Sequence, residues 1–272
     1  MQKKTRKKSV IAQHKKLSIQ FSLDGFSFCI SNSDTEEIIS FTEYSFEKPI
    51  SSPELLLTNL MEAFKSDEDL QHDFSTVFAI HQNSLATIVP TPLFDRNNLK
   101  PYLKYSVKTL PTDFITYDTI DEINANNVYI PYVNINNYLF QNFGEFEFKH
   151  HATVLIEKLL QSTHSKEKKM YVYVASNSID IIVCNNEQLF LYNSFPYETK
   201  EDFLYYILFT AEQLEMNPDT FELYFLGGIE KESELYNITY NYVRNVGFIK
   251  IDSSFFNGSD EFLNHSNYIL IS

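Results

Sequence analysis

Residues 17–30 read LSIQFSLDGFSFCI and residues 170–183 read MYVYVASNSIDIIV. Each stretch is an apolar strand, a short polar turn and a second apolar strand. By pattern, Leu17 aligns with Met170, Asp24 with Asn177, Phe28 with Ile181 and Ile30 with Val183. Both hairpins precede a third strand, an amphipathic helix and a further strand. A unit repeated half a chain apart predicts a duplicated α/β architecture with two similar domains facing a cleft.

Outward from the first hairpin, the chain predicts a third strand at 36–46 and, after Ser51-Ser52-Pro53, a helix over 54–64. In that helix Leu56, Leu57, Leu60, Met61 and Phe64 share one face. Strands at 75–80 and 85–89 follow, then a helix at 95–105 and a strand at 113–120. VYIPY (128–132) leads to a helix at 134–142 that Asn134 or Asn136 can cap and Gly144 ends. EFEF and a helix at 151–161 complete the half. A charged loop at 164–169 is a candidate crossing between domains. The second copy has strands at 170–175, 179–184 and 188–195, a helix at 200–215, strand 221–226, a helix at 231–243 and strand 247–251. A helix at 259–265 and a strand at 268–271 are expected at the end.

The formal charge of −14 is unevenly spread. Residues 1–16 carry +7 with no acid, and the remainder carries −21. An acidic body repels nucleic acid and anionic surfaces. The basic tail reads as a disordered, solvated arm, with contact to RNA, a ribosome or an acidic partner as the sharper alternative. No stretch suits a transmembrane helix or a signal peptide, so the expected location is cytoplasmic without membrane insertion. Cys29 and Cys184 are expected as buried, reduced thiols.

Three antiparallel strands, a crossover helix and a parallel strand, present twice, resemble the actin-like ATPase fold. Residues 128–162 look like the segment before the second domain of pilus-assembly and cell-division actin homologues. Strand-Gly-Gly-helix at 221–243 looks like their adenosine-side loop. LSIQFSLDGFSFCI and the elements after it are similar to an uncharacterised Bacteroidetes family, the domain of unknown function 3822. The resemblance implies an α/β, ribonuclease H-like duplication: two domains, each a mixed five-stranded sheet flanked by helices, around a cleft for ATP and Mg²⁺. The expected division is a tail at 1–16, domain I at 17–150, domain II at 151–252 and a C-terminal segment at 253–272, whose return to domain I stays open.

In the superfamily the two hairpin turns hold nucleotide phosphates, and here both depart from the pattern. Matching Gly25 to the first turn's glycine puts Leu23 where a metal-linked Asp is expected, with Asp24 displaced by one and turned to the other face. Asp24-Gly25 is read as a type I′ turn. The second turn, Ala175-Ser176-Asn177-Ser178, has no glycine, though Ser176, Asn177 and Ser178 can donate hydrogen bonds to an anion. Gly227 and Gly228 suit either a flat ligand or a tight turn. Six glycines in the chain are about 2%, against a usual share of roughly 7%. Adjacent His150 and His151 are read as surface or boundary residues, and His81 as a residue able to face the cleft. There is no Walker-type loop, dinucleotide fingerprint or nucleophile elbow.

The expected protein is a non-catalytic actin-like scaffold or partner-binding module, with a protein partner and no metal or cofactor. Two alternatives stand beside it. One is an ATP-binding protein or weak ATPase using Asp24, Gly25, Ser176, Asn177, Ser178, Gly227 and Gly228. The other is an RNA- or ribosome-associated factor held by residues 1–16.

Overall fold

The computed structural model describes residues 1–8, 12–104, 107–186, 188–251, 255–256 and 264–271. The first half contains β1 (Gln2–Lys7), β2 (Lys15–Ser22), β3 (Gly25–Asn32), β4 (Ile38–Ser45), α1 (Pro53–Ser66), β5 (Thr76–His81), β6 (Ala86–Pro90), α2 (Lys100–Leu103), β7 (Thr116–Ile120), β8 (Ala125–Tyr129), α3 (Val133–Phe143) and β9 (Glu147–His150). Helix α4 (His151–Ser162) leads to β10 (Lys169–Val174), β11 (Ser178–Cys184), β12 (Leu189–Pro196), α5 (Lys200–Gln213), β13 (Glu222–Gly227), α6 (Glu234–Tyr242), β14 (Asn245–Phe248) and α7 (Tyr268–Ile271).

The sheets carry the duplication. One has the order β1-β4-β3-β2-β5-β9 and the other β12-β11-β10-β13-β14. Without β1 they match strand for strand: an antiparallel meander, then two parallel strands. The loops match too. Phe46 N–H donates to the Asp24 carbonyl (3.0 Å), and Tyr197 N–H donates to that of Asn177 (3.1 Å). Gln82 N–H donates to the Phe21 carbonyl (3.0 Å), and Gly228 N–H to that of Val174 (2.8 Å). A three-stranded sheet, β6-β8-β7, is inserted in the first half alone.

Strand alternation sorts side chains into layers. Leu17, Ile19 and Phe21 pack outward against Leu56, Leu60 and Phe64 of α1 and Ile135 and Leu139 of α3. Met170, Val172 and Val174 pack outward against Phe203, Ile207 and Ala211 of α5 and Tyr236 of α6. Between the sheets lie α4 and α7, where Leu155, Leu159, Tyr268 and Ile269 meet Cys29 and Phe41 on one side and Tyr171, Ile182 and Cys184 on the other. Helix α7 touches β2 and β3 of the first sheet. Both cysteines are free and buried, and burial pushes their thiols up to about 12.

Several expectations are corrected. The basic tail is not a disordered arm: Gln2–Lys7 pair antiparallel with β4. Its cations are matched by distant acids, Lys3 with Asp67 (2.8 Å), Lys7 with Asp69 (2.9 Å) and Lys8 with Glu37 (3.5 Å). Helix α3 starts after Tyr132 without a side-chain cap; Asn134 instead donates to the Pro53 carbonyl, and Asn136 accepts from His81. The helix expected over 95–105 shrinks to Lys100–Leu103. Residues 268–271, expected as a strand, are helical, because tertiary packing between two sheets outweighs the β-propensity of Tyr-Ile-Leu-Ile. Most of the helix expected at 259–265 lies outside the described residues. No helix among the described residues is long and apolar enough to cross a membrane.

Gly227 has φ of +79°, and a Cβ there would sit 2.4 Å from the Val174 carbonyl oxygen. A Cβ on Gly228 would have ordinary contact at 3.6 Å. Gly227→Ala is therefore expected to lose about 2 kcal/mol or more of stability in urea unfolding, through left-handed strain and the clash. Gly228→Ala is expected to stay within about 0.5 kcal/mol of the parent.

Candidate functional site

The loop joining β2 to β3 is Leu23-Asp24, because Ser22 already pairs with Gly25. Neither loop residue is among the non-glycine residues with positive φ (Glu36, Asn124 and Glu215), so this is not the expected type I′ turn. Gly25 serves a different need. A Cβ on it would lie 2.2 Å from the Tyr44 carbonyl oxygen of β4. Leu23 packs with the outer apolar layer, and its carbonyl accepts from Ile50 N–H (2.8 Å). Asp24 thus faces the opposite way, toward the second half of the molecule.

The second turn is Ser176-Asn177, closed by Ala175 N–H donating to the Ser178 carbonyl (2.9 Å). Its neighbour Tyr197 donates its hydroxyl to the Ala175 carbonyl (2.8 Å). The two turns touch. Ser176 N–H donates to Asp24 Oδ2 at 3.1 Å, joining the halves of the chain. A hydrogen bond to a carboxylate is stronger than one between neutral groups.

Beneath this contact the strands supply a second bridge. Gln20 Nε2 donates to Gln82 Oε1 (2.5 Å), and the buried Tyr173 hydroxyl, from the other sheet, donates to the same Gln82 oxygen (3.2 Å). A third bridge lies deeper. His151, at the start of α4, has Nε2 2.6 Å from Asp180 Oδ2 of β11, and both residues are buried. The alternation Ser18, Gln20, Ser22 was a usable signal for this face, since period 2 puts those polar side chains on one side of β2, with Asp24 following in the loop. Tyr173 carried no comparable signal.

The first two bridges line a cleft of about 810 Å³. Of the residues singled out in the sequence, Asp24, Gly25, Ser176 and Gly228 line it, whereas Asn177, Ser178 and Gly227 do not. Among the described lining residues, the charged ones are Asp24, Glu43 and Glu230 against one cation, Lys4 of β1. Gly228 does not open a helix. Helix α6 begins at Glu234, capped by Ser233, and the loop before it is pinned by His265 Nε2 at 2.6 Å from the Ile229 carbonyl.

The histidines are structural. His81 is fully buried and faces α3, not the cleft: Nδ1 accepts from Tyr132 N–H (3.0 Å), and Nε2 is 2.9 Å from Asn136 Oδ1. Those partners require the neutral Nε2–H tautomer. Burial lowers its pKa from 6.5 to about 3. Of the expected surface or boundary placement, His150 and His151 take the boundary one, buried at the β9–α4 junction. There His150 caps α4, and its N–H donates to Asp118 Oδ2 (2.8 Å) of the inserted sheet. Burial raises the Asp118 pKa, opposed by donors from His150, Thr153 and Tyr129. No group of three or more potential metal ligands occurs among the described residues.

Two sheets of the same order, helices between them and opposed turns at a cleft define an actin-like ATPase fold. The chain belongs to the DUF3822 family, a protein family of unknown function, whose pattern matches residues 4–246 and so includes part of β1. It is similar to a Bacteroides thetaiotaomicron protein with an actin-like ATPase fold and unknown function, at 26% identity and TM-score 0.78, over 88% of this chain and 91% of that one. It also shares its fold with a structure of the PilM–PilN type IV pilus biogenesis complex, at 8% identity and TM-score 0.58, over 94% of this chain and 96% of that one. No curated protein matches the chain significantly.

The lowered pKa of His81 has a signed consequence. An unfolded histidine takes up a proton near pH 6.5 and the folded one only near 3, so folding stability is complete above about 6.5 and declines as pH falls toward 3. Burial lowers the His150 and His265 pKa values too, which adds to the decline. The urea midpoint is expected to drop between pH 7 and pH 5. In NMR the His81 ring should remain neutral at pH 5; titration near 6.5 would contradict its burial.

Proposed function

We propose that this protein is a non-catalytic actin-like scaffold that binds a protein partner. The carrying observation is the hydrogen bond between Ser176 N–H and Asp24, which joins the two turns that would have to receive phosphates. An anion-binding turn needs free backbone donors aimed at the ligand. Here the Ser176 amide is engaged, and Gly228 N–H is committed to the Val174 carbonyl. The carboxylates of Asp24, Glu43 and Glu230 oppose a polyphosphate, and Lys4 is the sole lysine or arginine among the lining residues described. ATP and Mg²⁺ therefore do not fit this cleft as it stands, and no catalytic step is assigned to it.

In this reading residues 17–150 and 151–252 are two domains held at a fixed angle, and function resides on their outer surfaces. Pairing of Lys3, Lys7 and Lys8 with acids of the body removes the support for a free RNA-binding arm. The PilM–PilN structure is itself a protein complex, and at 8% identity its likeness bears on the fold alone.

Isothermal titration with ATP and Mg²⁺ at millimolar concentration is the test. No saturable heat and no phosphate release are expected. Micromolar binding with turnover would overturn the proposal.

A further inference from the structure

Two exposed surfaces on different sheets have opposite character. The first is the segment between β6 and β7. Residues 91–115 carry Arg96, Lys100, Lys104 and Lys108 against Asp95 and Asp113 in a chain of net charge −14. Its small core is filled by Val89, Leu103, Val107, Val128 and Ile130. Leu93 (71% exposed), Leu110 (56%) and Phe114 (55%) are left outside that core.

The second surface is the outer face of α5 and α6, which cover the second sheet. Tyr205 and Phe209, one helical turn apart, stack with centroids 5.7 Å apart and are 58% and 41% exposed. Tyr240 on α6 is 58% exposed. The helices pack together, with Lys200 at the start of α5 lying 3.7 Å from Glu234 at the start of α6. The two helices carry Glu201, Asp202, Glu212 and Glu234 against Lys200, with Glu201 and Glu212 exposed on α5.

We propose that these surfaces are the two halves of one heterologous contact between copies of this chain: the basic, apolar β6–β7 segment of one copy docks on the acidic, aromatic α5–α6 face of the next. Large apolar side chains left exposed beside charged ones are a feature of interaction sites. Opposite charge steers the encounter, and arginine or lysine over tyrosine faces adds cation–π attraction. A second copy is the occupant because both complementary halves occur in one chain on separate sheets. The contact uses different patches on the two partners, so it joins molecules head to tail.

Sedimentation velocity of the full chain tests this with two exposed-surface variants, Arg96→Glu/Lys100→Glu and Tyr205→Ser/Phe209→Ser. The wild type should sediment faster as concentration rises from micromolar to hundreds of micromolar, and high salt should suppress the effect. Each variant, with an unchanged Tm, should associate about tenfold or more weakly. An equimolar mixture of the variants retains one intact contact and should form dimers and nothing larger. The milder Arg96→Ala/Lys100→Ala pair should weaken association in the same direction. A wild type that stays monomeric would overturn the proposal. So would folded variants that associate like the wild type, a mixture that does not pair, or a monomer whose basic segment binds phosphatidylserine vesicles instead.

Discussion

Two hairpin tips that meet across a cleft constrain the rest of this molecule. The Asp24 carboxylate accepts the Ser176 amide, the Gln82 side chain joins Gln20 to Tyr173 of the opposite sheet, and His151 meets Asp180 deeper down. These polar bridges run from the rim toward the apolar layer formed by α4 and α7. The apolar layer supplies the driving force for association of the sheets, since burial of side chains such as Leu155, Leu159 and Ile269 is nondirectional. The bridges supply direction: a buried polar group left without its partner is costly, so they favour one register of sheet on sheet.

The scarcity of glycine follows the same division of labour. Gly25 and Gly227 stand where a neighbouring strand's carbonyl leaves no room for a Cβ, at Tyr44 and Val174. Both are explained by strand packing, without a ligand. In the second turn, where close approach of a phosphate would call for glycine, the chain has Ser176 and Asn177 and gives the amide to Asp24. The duplicated architecture is thus retained with its turns used for self-contact.

Much of the fold was legible from local pattern. Alternation in 17–30 and 170–183 marked the hairpins, and helical spacing of Leu56, Leu60 and Phe64 marked α1. The cysteines were correctly placed in the interior. What escaped depends on residues far apart in sequence. The lysines of β1 look mutually repulsive until Asp67 and Asp69 are folded beside them. The need for Gly25 becomes visible only once β4 lies against it. The turn type was misread because Asp-Gly favours a type I′ loop locally, whereas the pairing of Ser22 with Gly25 shifts the loop to Leu23-Asp24. Of the seven residues singled out for the cleft, Asp24, Gly25, Ser176 and Gly228 line it, whereas Gln20, Gln82 and Tyr173 depend on the register between sheets, which no local pattern carries.

The most direct measurement of the central claim is the distance between the halves, read by double electron–electron resonance from spin labels at the exposed positions Glu62 on α1 and Glu212 on α5. The turn-to-turn contact predicts one narrow distribution that ATP and Mg²⁺ leave unchanged, and that broadens when Asp24→Ala removes the acceptor. A broad distribution in the parent protein that nucleotide narrows would contradict it.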